Sequence, residues 1–219
     1  MNVKALREAA RDLAFLLDRG YPERAALKLV GDRFGLSRAE REFLIRATPP
    51  REIALSRRQK RVRAAELSGK RVTVDGYNVL ATLSHALSGR PLVLSRDGFV
   101  RDAERAYGRF PGLEIQLPRM ENLILCFFRR YPPAFLGIYL DAPVSGSGKL
   151  AERLRRRILT PLGVPGEVLA VKEAERLVLS GEVVCTADGA LIDRARRVFD
   201  LAGHLIRYSL RMAPERFFG

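Results

Sequence analysis

The stretch Arg71-Val72-Thr73-Val74-Asp75-Gly76-Tyr77-Asn78 decides the fold of this chain. Val72–Val74 is a short β-branched run, the composition of a strand buried on both faces, and Asp75-Gly76 closes it with turn residues. The same pattern recurs downstream. Phe135–Leu140 is continuously apolar and stops at Asp141, and Val183–Thr186 is a further strand that leads to Asp188. Val168–Val171 reads as another strand, with the helix Glu173–Leu179 after it, and His204–Tyr208 as a fifth. Helical segments are expected at Met120–Tyr131, at Ala151–Ile158 and from Asp188 to about Ala202; Thr82–Leu87 and Phe99–Tyr107 read as helix or loop. Apolar strands alternating with helices predict an α/β fold, a central parallel sheet with helices on both faces.

Upstream of Arg71 the periodicity is helical. Val3, Leu6, Ala10, Leu13, Leu16 and Leu17 recur on one face, and Gly20 followed by Pro22 ends one helix and opens the next. The second helix runs to about Phe34, where Gly35 breaks it. Ser37 with Glu40 forms a capping box for a third helix that carries Phe43, Leu44 and Ile45 and ends at Pro49-Pro50. Arg51–Lys70 is a basic linker or exposed helix. The expected organisation is a small helical domain over residues 1–66, with a helix-turn-helix as one reading of residues 22–46, and an α/β domain over residues 67–219.

Among 219 residues, Lys and Arg total 39 against 25 Asp and Glu, a formal net charge of +14. Such an excess favours a polyanionic partner, because phosphates gain Coulomb energy and release counterions on binding. An Arg-rich coding bias is the plainer account of the same surplus. Hydrophobic residues make up 47% of the chain, enough for a real core. Cys126 and Cys185 lie in apolar runs and are expected as buried free thiols. The charged opening segment reads as no signal peptide, and no apolar run reaches the roughly 20 residues of a membrane span. A cytoplasmic protein is the default expectation.

Three strands end in an acid or run straight into one: Asp75, Asp141 and Asp188. Residues just beyond the carboxyl ends of parallel strands share one crevice. Carboxylates gathered there raise each other's pKa, and a hard cation such as Mg²⁺ or Mn²⁺ relieves the conflict. For any one of them a helix N-cap is the simpler reading, most of all for Asp188. Asn78 sits beside Asp75 in the turn, placed to position that carboxylate or a phosphate oxygen. Asp193 follows Asp188 by five residues, Glu173 and Glu175 open a helix where acids favour the dipole, and Asp97 and Asp102 flank Gly98–Arg101.

Val74-Asp75-Gly76-Tyr77-Asn78-Val79-Leu80 resembles the opening of PIN-like nucleases, especially the NYN branch, and Val184-Cys185-Thr186-Ala187-Asp188 resembles the later strand and Thr-x-Asp motif of PIN domains. The resemblance spans about residues 70–208. It implies a PIN-like fold, a divalent metal held by Asp75, Asp141 and Asp188, and cleavage of RNA phosphodiesters. It places a middle acid at Glu173 or Glu175, with Asp97 and Asp102 as alternatives. Leu17-Asp18-Arg19-Gly20-Tyr21-Pro22, Leu29–Leu36, Asp97–Asp102 and Asp141–Gly148 are also similar to signatures of an uncharacterised, mostly archaeal family, domain of unknown function 434, which carries no settled substrate.

Gly146-Ser147-Gly148-Lys149 invites a P-loop reading, but Pro143 and Leu150 stand where that motif needs Gly and Ser or Thr. His85 and His204 are too few and too scattered for a zinc or haem site. The expected function is a Mg²⁺- or Mn²⁺-dependent ribonuclease with catalytic Asp75, Asp141, Asp188, Asp193, Glu173 and Asp102. Asn78, Lys149, Arg153, Arg156 and Arg157 are expected at the nucleic acid, RNA rather than DNA, and a homodimer is allowed for. The alternatives are a non-catalytic nucleic-acid-binding protein or transcriptional regulator using the N-terminal helices, and a structural module whose arginines are compositional.

Overall fold

The computed structural model describes residues 3–102 and 113–218. Four helices come first: α1 (Val3–Asp18), α2 (Glu23–Arg33), α3 (Arg38–Ala47) and α4 (Arg51–Gln59). The capping box predicted at Ser37 and Glu40 is formed. Leu6, Ala9, Ala10 and Leu13 of α1 pack on Val30, Phe43, Leu44 and Ala47, and the same core takes in Val93 and Phe217 from far along the chain. Arg41 does not project from the helical hairpin. Its guanidinium bonds Asp32 and the carbonyls of Leu36 and Lys28, which locks α3 onto α2.

The α/β part contains β1 (Arg71–Asp75), α5 (Gly76–Leu87), β2 (Leu92–Leu94), β3 (Val100–Asp102), α6 (Leu113–Arg130), β4 (Phe135–Asp141) and α7 (Ser147–Leu154). It continues through a short α8 (Thr160–Leu162), β5 (Gly166–Val171), α9 (Ala174–Val178), β6 (Val183–Cys185), α10 (Gly189–Arg194), β7 (Val198–Phe199), α11 (Leu201–His204) and β8 (Glu215–Arg216). The central sheet has the order β5-β4-β1-β6-β7, and every pairing in it is parallel. Both faces are covered. Val72, Val74, Ile138, Leu140, Val183 and Cys185 face α5, α6 and the helix that follows β7, while Tyr139 and Val184 face Val178, Leu191 and Ile192. This two-sided burial is why the strands read as unbroken apolar runs.

Four expectations need correction, and one feature is new. His204–Tyr208 is helical, not a strand: it continues α11 as a π-helical turn, Leu205–Ser209. Leu201, Ala202, Leu205 and Ile206, all buried, carry the helical period that was misread. The fifth strand is instead Val198–Phe199, and it interrupts the long helix expected from Asp188, so α10 stops at Arg194. A second sheet, β3-β2-β8, was not anticipated. Its strands have two or three residues each, and β8 joins β2 across more than a hundred positions of sequence. The expected segment Phe99–Tyr107 is a strand at Val100–Asp102, and its remainder lies outside the described residues. Cys185 is buried and Cys126 is exposed, against the expectation of two buried thiols; both are free.

Candidate metal and nucleic-acid site

Taken alone, the order of the central sheet reverses direction between β1 and β6: chain connections step outward to β4 and β5, then return to β6 and β7. At such a switch point the loops after neighbouring strands splay apart and open a crevice at the carboxyl edge. Asp75 ends β1 beside this crevice, and Asp188 follows β6 on its other side. Asp141 ends β4. The register pairs Asp75 with Tyr139, so Asp141 lies two residues further along the adjacent strand. With strands ~4.8 Å apart and ~3.3 Å per residue, the Cα atoms of Asp75 and Asp141 are about 8 Å apart.

Gly76 explains how Asp75 is delivered. A Cβ at that position would stand 2.9 Å from the Tyr139 carbonyl oxygen and 2.6 Å from a Leu140 methyl. Only glycine lets α5 start this close to β4. Asp75 is the N-cap of α5, as its simpler reading required: its Oδ1 accepts from the Asn78 N–H at 3.3 Å. Its Oδ2 accepts from the Thr186 hydroxyl at 2.9 Å, a contact made across the crevice. Thr186 Oγ1 in turn accepts from the Asp188 N–H at 3.1 Å, and Asn78 Oδ1 accepts from the Ala187 N–H at 2.8 Å. The two strand-end loops are thus tied by Asn78 and Thr186. Asn78 spends its side-chain carbonyl on this tie and meets the Asp75 carboxylate through its backbone N–H.

Burial pushes the Asp75 carboxyl up to about 7, and the negative charges of Asp188 and Asp141 push in the same direction. Asp141, itself exposed, is raised by partial desolvation and by Glu175. The Tyr77 phenol is raised by burial and by Asp141. Asp188 caps α10, with Oδ1 accepting from the Ala190 and Leu191 N–H groups at 2.9 and 3.1 Å; its Oδ2 has no hydrogen-bond partner among the described residues. Asp200, which ends β7, is a useful contrast. It is buried, and its oxygens accept from the backbone N–H groups of Gly203 and Val100, so it serves as an internal tie between chain segments.

The donor set suits a hard divalent cation in one specific way. Among the described residues no three acid, histidine or cysteine side chains gather around one point. A cage of protein ligands is therefore not formed, but Mg²⁺ commonly binds through one or two carboxylates with water and substrate phosphate completing its shell. Asp75 and Asp188, with Asp141 on the next strand, offer that kind of partial set, and their mutual repulsion is what a cation would relieve.

The other candidates take different places. Asp193 lies on the same cleft but is held by Arg57 in a two-point contact, 2.7 Å to each oxygen, which lowers its pKa. Asp97 is fully buried among Arg101, Arg57 and Ser95, and its carboxyl, despite burial, is held down at about 2 by Arg101 and by these hydrogen bonds. Asp102 is buried and accepts from Thr82 at 3.2 Å, with His85 Nδ1 3.6 Å away. Glu173 is exposed at the start of α9 and lies 4.0 Å from Arg176; Glu175, whose charge is felt by Asp141, pairs with Arg194 at 3.0 Å. Arg153 is pinned to Glu121 at 2.5 Å. Arg156 lies 3.9 Å from Glu152, while Arg157 and Lys149 are exposed with no acidic partner among the described residues.

A cleft of about 460 Å³ separates Asn78, Asp102, Asp188 and Asp193 from the N-terminal helices, and Asp75 and Asp141 are not among its lining residues. Asn78, Asp188 and Asp193 line one side, Arg46, Ile53 and Arg57 the other. Reading the sequence missed Arg57 and Lys60, which looked like solvated charge in a basic linker. Lys60 donates to the carbonyls of Ile192 and Asp193 at the end of α10, and Arg57 clamps Asp97 and Asp193. Nothing in their spacing signals this, because both partners are brought in by tertiary packing.

The family described as "Domain of unknown function (DUF5616)" matches residues 64–204, and "Protein of unknown function (DUF434)" matches residues 5–60. The likeness to the latter is therefore confined to the helical N-terminal part. An uncharacterized protein of Methanocaldococcus jannaschii is 33% identical over 207 residues, covering 93% of this chain and 98% of its own length. No solved structure matches the chain. Among the described residues, no helix is long and apolar enough to cross a membrane.

Proposed function

We propose that this chain, which belongs to the DUF5616 family, is a divalent-metal-dependent nuclease that cleaves RNA phosphodiesters. The observation that supports the reading is the placement of Asp75, Asp188 and Asp141 at the carboxyl ends of neighbouring parallel strands, at the sheet's switch point, with Asp188 lining a cleft. The preference for RNA follows from the resemblance of Asp75-Gly76-Tyr77-Asn78 to the NYN branch of PIN-like nucleases.

Asp75 and Asp188 would hold Mg²⁺ or Mn²⁺, with Asp141 as a third acid toward its water shell. The bound ion would supply Lewis-acid polarisation of the phosphate and a water of lowered pKa. The chain's own part is preorganisation. Thr186 fixes the Asp75 carboxylate from across the crevice, Asn78 holds the two loops at a set separation, and Gly76 lets Asp75 reach the edge. Lys149 and Arg157, exposed along α7 and its continuation and without an acidic partner among the described residues, would meet the backbone of a bound strand. Arg153 is excluded from that role by Glu121.

The test is incubation of labelled RNA and DNA with Mg²⁺, Mn²⁺ or EDTA, beside Asp75→Asn and Asp188→Asn. Metal-dependent cleavage of RNA that both substitutions abolish supports the reading. Cleavage that persists unchanged in both variants refutes the site, and tight RNA binding with no cleavage under any condition favours a binding protein instead.

A further inference from the structure

A second concave surface lies away from the carboxyl edge. It is a groove of about 610 Å³ between α6 and the π-helical continuation of α11. Its floor and walls are rings in a continuous series. Phe127 lies 5.2 Å from Tyr131 and 5.2 Å from His204, and His204 lies 4.7 Å from Tyr208. Phe199 stacks beneath Phe127 at 5.3 Å, which anchors the series in the core. Tyr208 is 65% exposed, so its ring face is open at the end of the series. His204 is held below its ordinary pKa by burial and by Arg207 and Arg130, so its ring is neutral.

The rim is cationic. Arg119 and Arg130 line the groove and are exposed, and Arg207 lies 5.5 Å over the Tyr208 ring. Among the described residues the lining contains no Asp or Glu. Among the described residues Arg119 and Arg130 have no acidic partner, in contrast to Arg57 of the other cleft. Neighbouring aromatic rings flanked by arginines suit a ligand with flat π-faces and negative charge at regular intervals. Self-association through this face would instead bring the same arginines of two copies together, at a Coulomb cost.

We infer that this groove binds a single-stranded oligonucleotide, with bases stacked on Tyr208 and Tyr131 and phosphates met by Arg119 and Arg130. That the strand is RNA rests on the function proposed above; the groove itself does not depend on catalysis. Arg130 ends α6 just before β4 begins, so the Arg130–Tyr131 end of the groove lies toward the amino edge of the sheet, whereas Asp75 and Asp141 stand at the carboxyl edge. The seven residues of β4 separate the two edges by about 20 Å at ~3.3 Å per residue. The groove would therefore grip a strand at a distance from the point of cleavage, as an anchoring subsite.

Cys126 gives a direct readout. It is exposed and lines the groove, and the chain's other thiol, Cys185, is buried. The experiment uses the full chain carrying Asp75→Asn in EDTA, so that no outcome depends on cleavage. Alkylation of Cys126 is followed with and without an oligoadenylate of about 12 nucleotides, within the site sizes typical of such surfaces, and binding is measured by anisotropy. The expected result is protection of Cys126 by the single strand, about tenfold weaker binding in Tyr208→Ala, near-normal binding in Tyr208→Phe, and a salt dependence shallower by about one ion in Arg130→Ala. Equal protection by a duplex of the same length overturns the inference, since paired bases cannot stack on the rings. Equal protection by adenosine monophosphate overturns the strand in favour of a nucleotide pocket. Protection that rises with protein concentration alone makes the groove an interface between copies. Loss of cleavage in the wild-type assay with protection intact would remove the nuclease reading and leave this one standing.

Discussion

Asp75→Asn is expected to stabilise the metal-free protein above neutral pH. Burial and the charges of Asp188 and Asp141 raise this carboxyl from 3.8 to about 7 in the folded state. The unfolded chain releases the same proton near its ordinary value. Between the two, the folded state binds more protons, so stability is full below about pH 4 and falls as pH rises through about 7. At ~1.36 kcal/mol per pH unit, the interval corresponds to about 4 kcal/mol of destabilisation at about pH 8. Asparagine keeps the shape and removes the charge. Its NH₂ group replaces one accepting oxygen, so one of the bonds from Thr186 and Asn78 is weakened, at about 1 kcal/mol. The net expectation is a variant on the order of 2–3 kcal/mol more stable at about pH 8 in EDTA, with the advantage gone near pH 4. Urea unfolding of both proteins across this range, at constant denaturant slope, gives the difference, and other titrating groups cancel in the comparison. Mg²⁺ is expected to stabilise the wild-type protein and not the variant, which narrows or reverses the gap. A variant less stable at about pH 8, or a difference that does not change with pH, refutes the picture of a carboxylate strained by its neighbours.

Other substitutions follow from the same contacts. Gly76→Ala places a methyl against the Tyr139 carbonyl and is expected to cost about 1–3 kcal/mol while displacing Asp75, so melting temperature and cleavage fall together. Asp97→Ala leaves Arg101, 5% exposed, without its carboxylate and is expected to cost about 3–5 kcal/mol by chemical denaturation. The stability that Asp97 itself contributes is present above 3.8 and lost as pH falls through about 2. Asp193→Ala is expected to lower stability modestly and to leave metal-dependent cleavage intact, because Arg57 already occupies that carboxylate; complete loss of cleavage in a folded Asp193→Ala would move the metal site toward α10. Ser37→Ala removes the cap of α3 and is expected to cost about 1 kcal/mol in thermal unfolding with no effect on RNA.

The sequence by itself determined the α/β class, the strands β1, β4, β5 and β6, the helical N-terminal region and the α3 capping box. These are local or semi-local facts: a strand buried on both faces has to be apolar throughout, and a capping box is satisfied within four residues. It also placed Asp75, Asp141 and Asp188 at strand ends. It failed where the information was not local. Strands of two residues, such as Val198–Phe199, carry too little pattern to be seen, and this one forms because β6 on one side and Arg61 on the other pair with it in space. Asp200 at the end of that strand was missed for the same reason. Asp193 and Asp97 looked much like Asp188 in sequence, but tertiary packing set Arg57, from a helix over a hundred residues from Asp193, against both and left Asp188 Oδ2 without such a partner. The aromatic groove is assembled from α6 and α11, whose rings are some eighty positions apart. Charge and shape at a site are sums over neighbours, and chain order does not choose neighbours between elements. Sequence named the acids, and the packing of helices against the sheet decided which of them keep their charge unpaired.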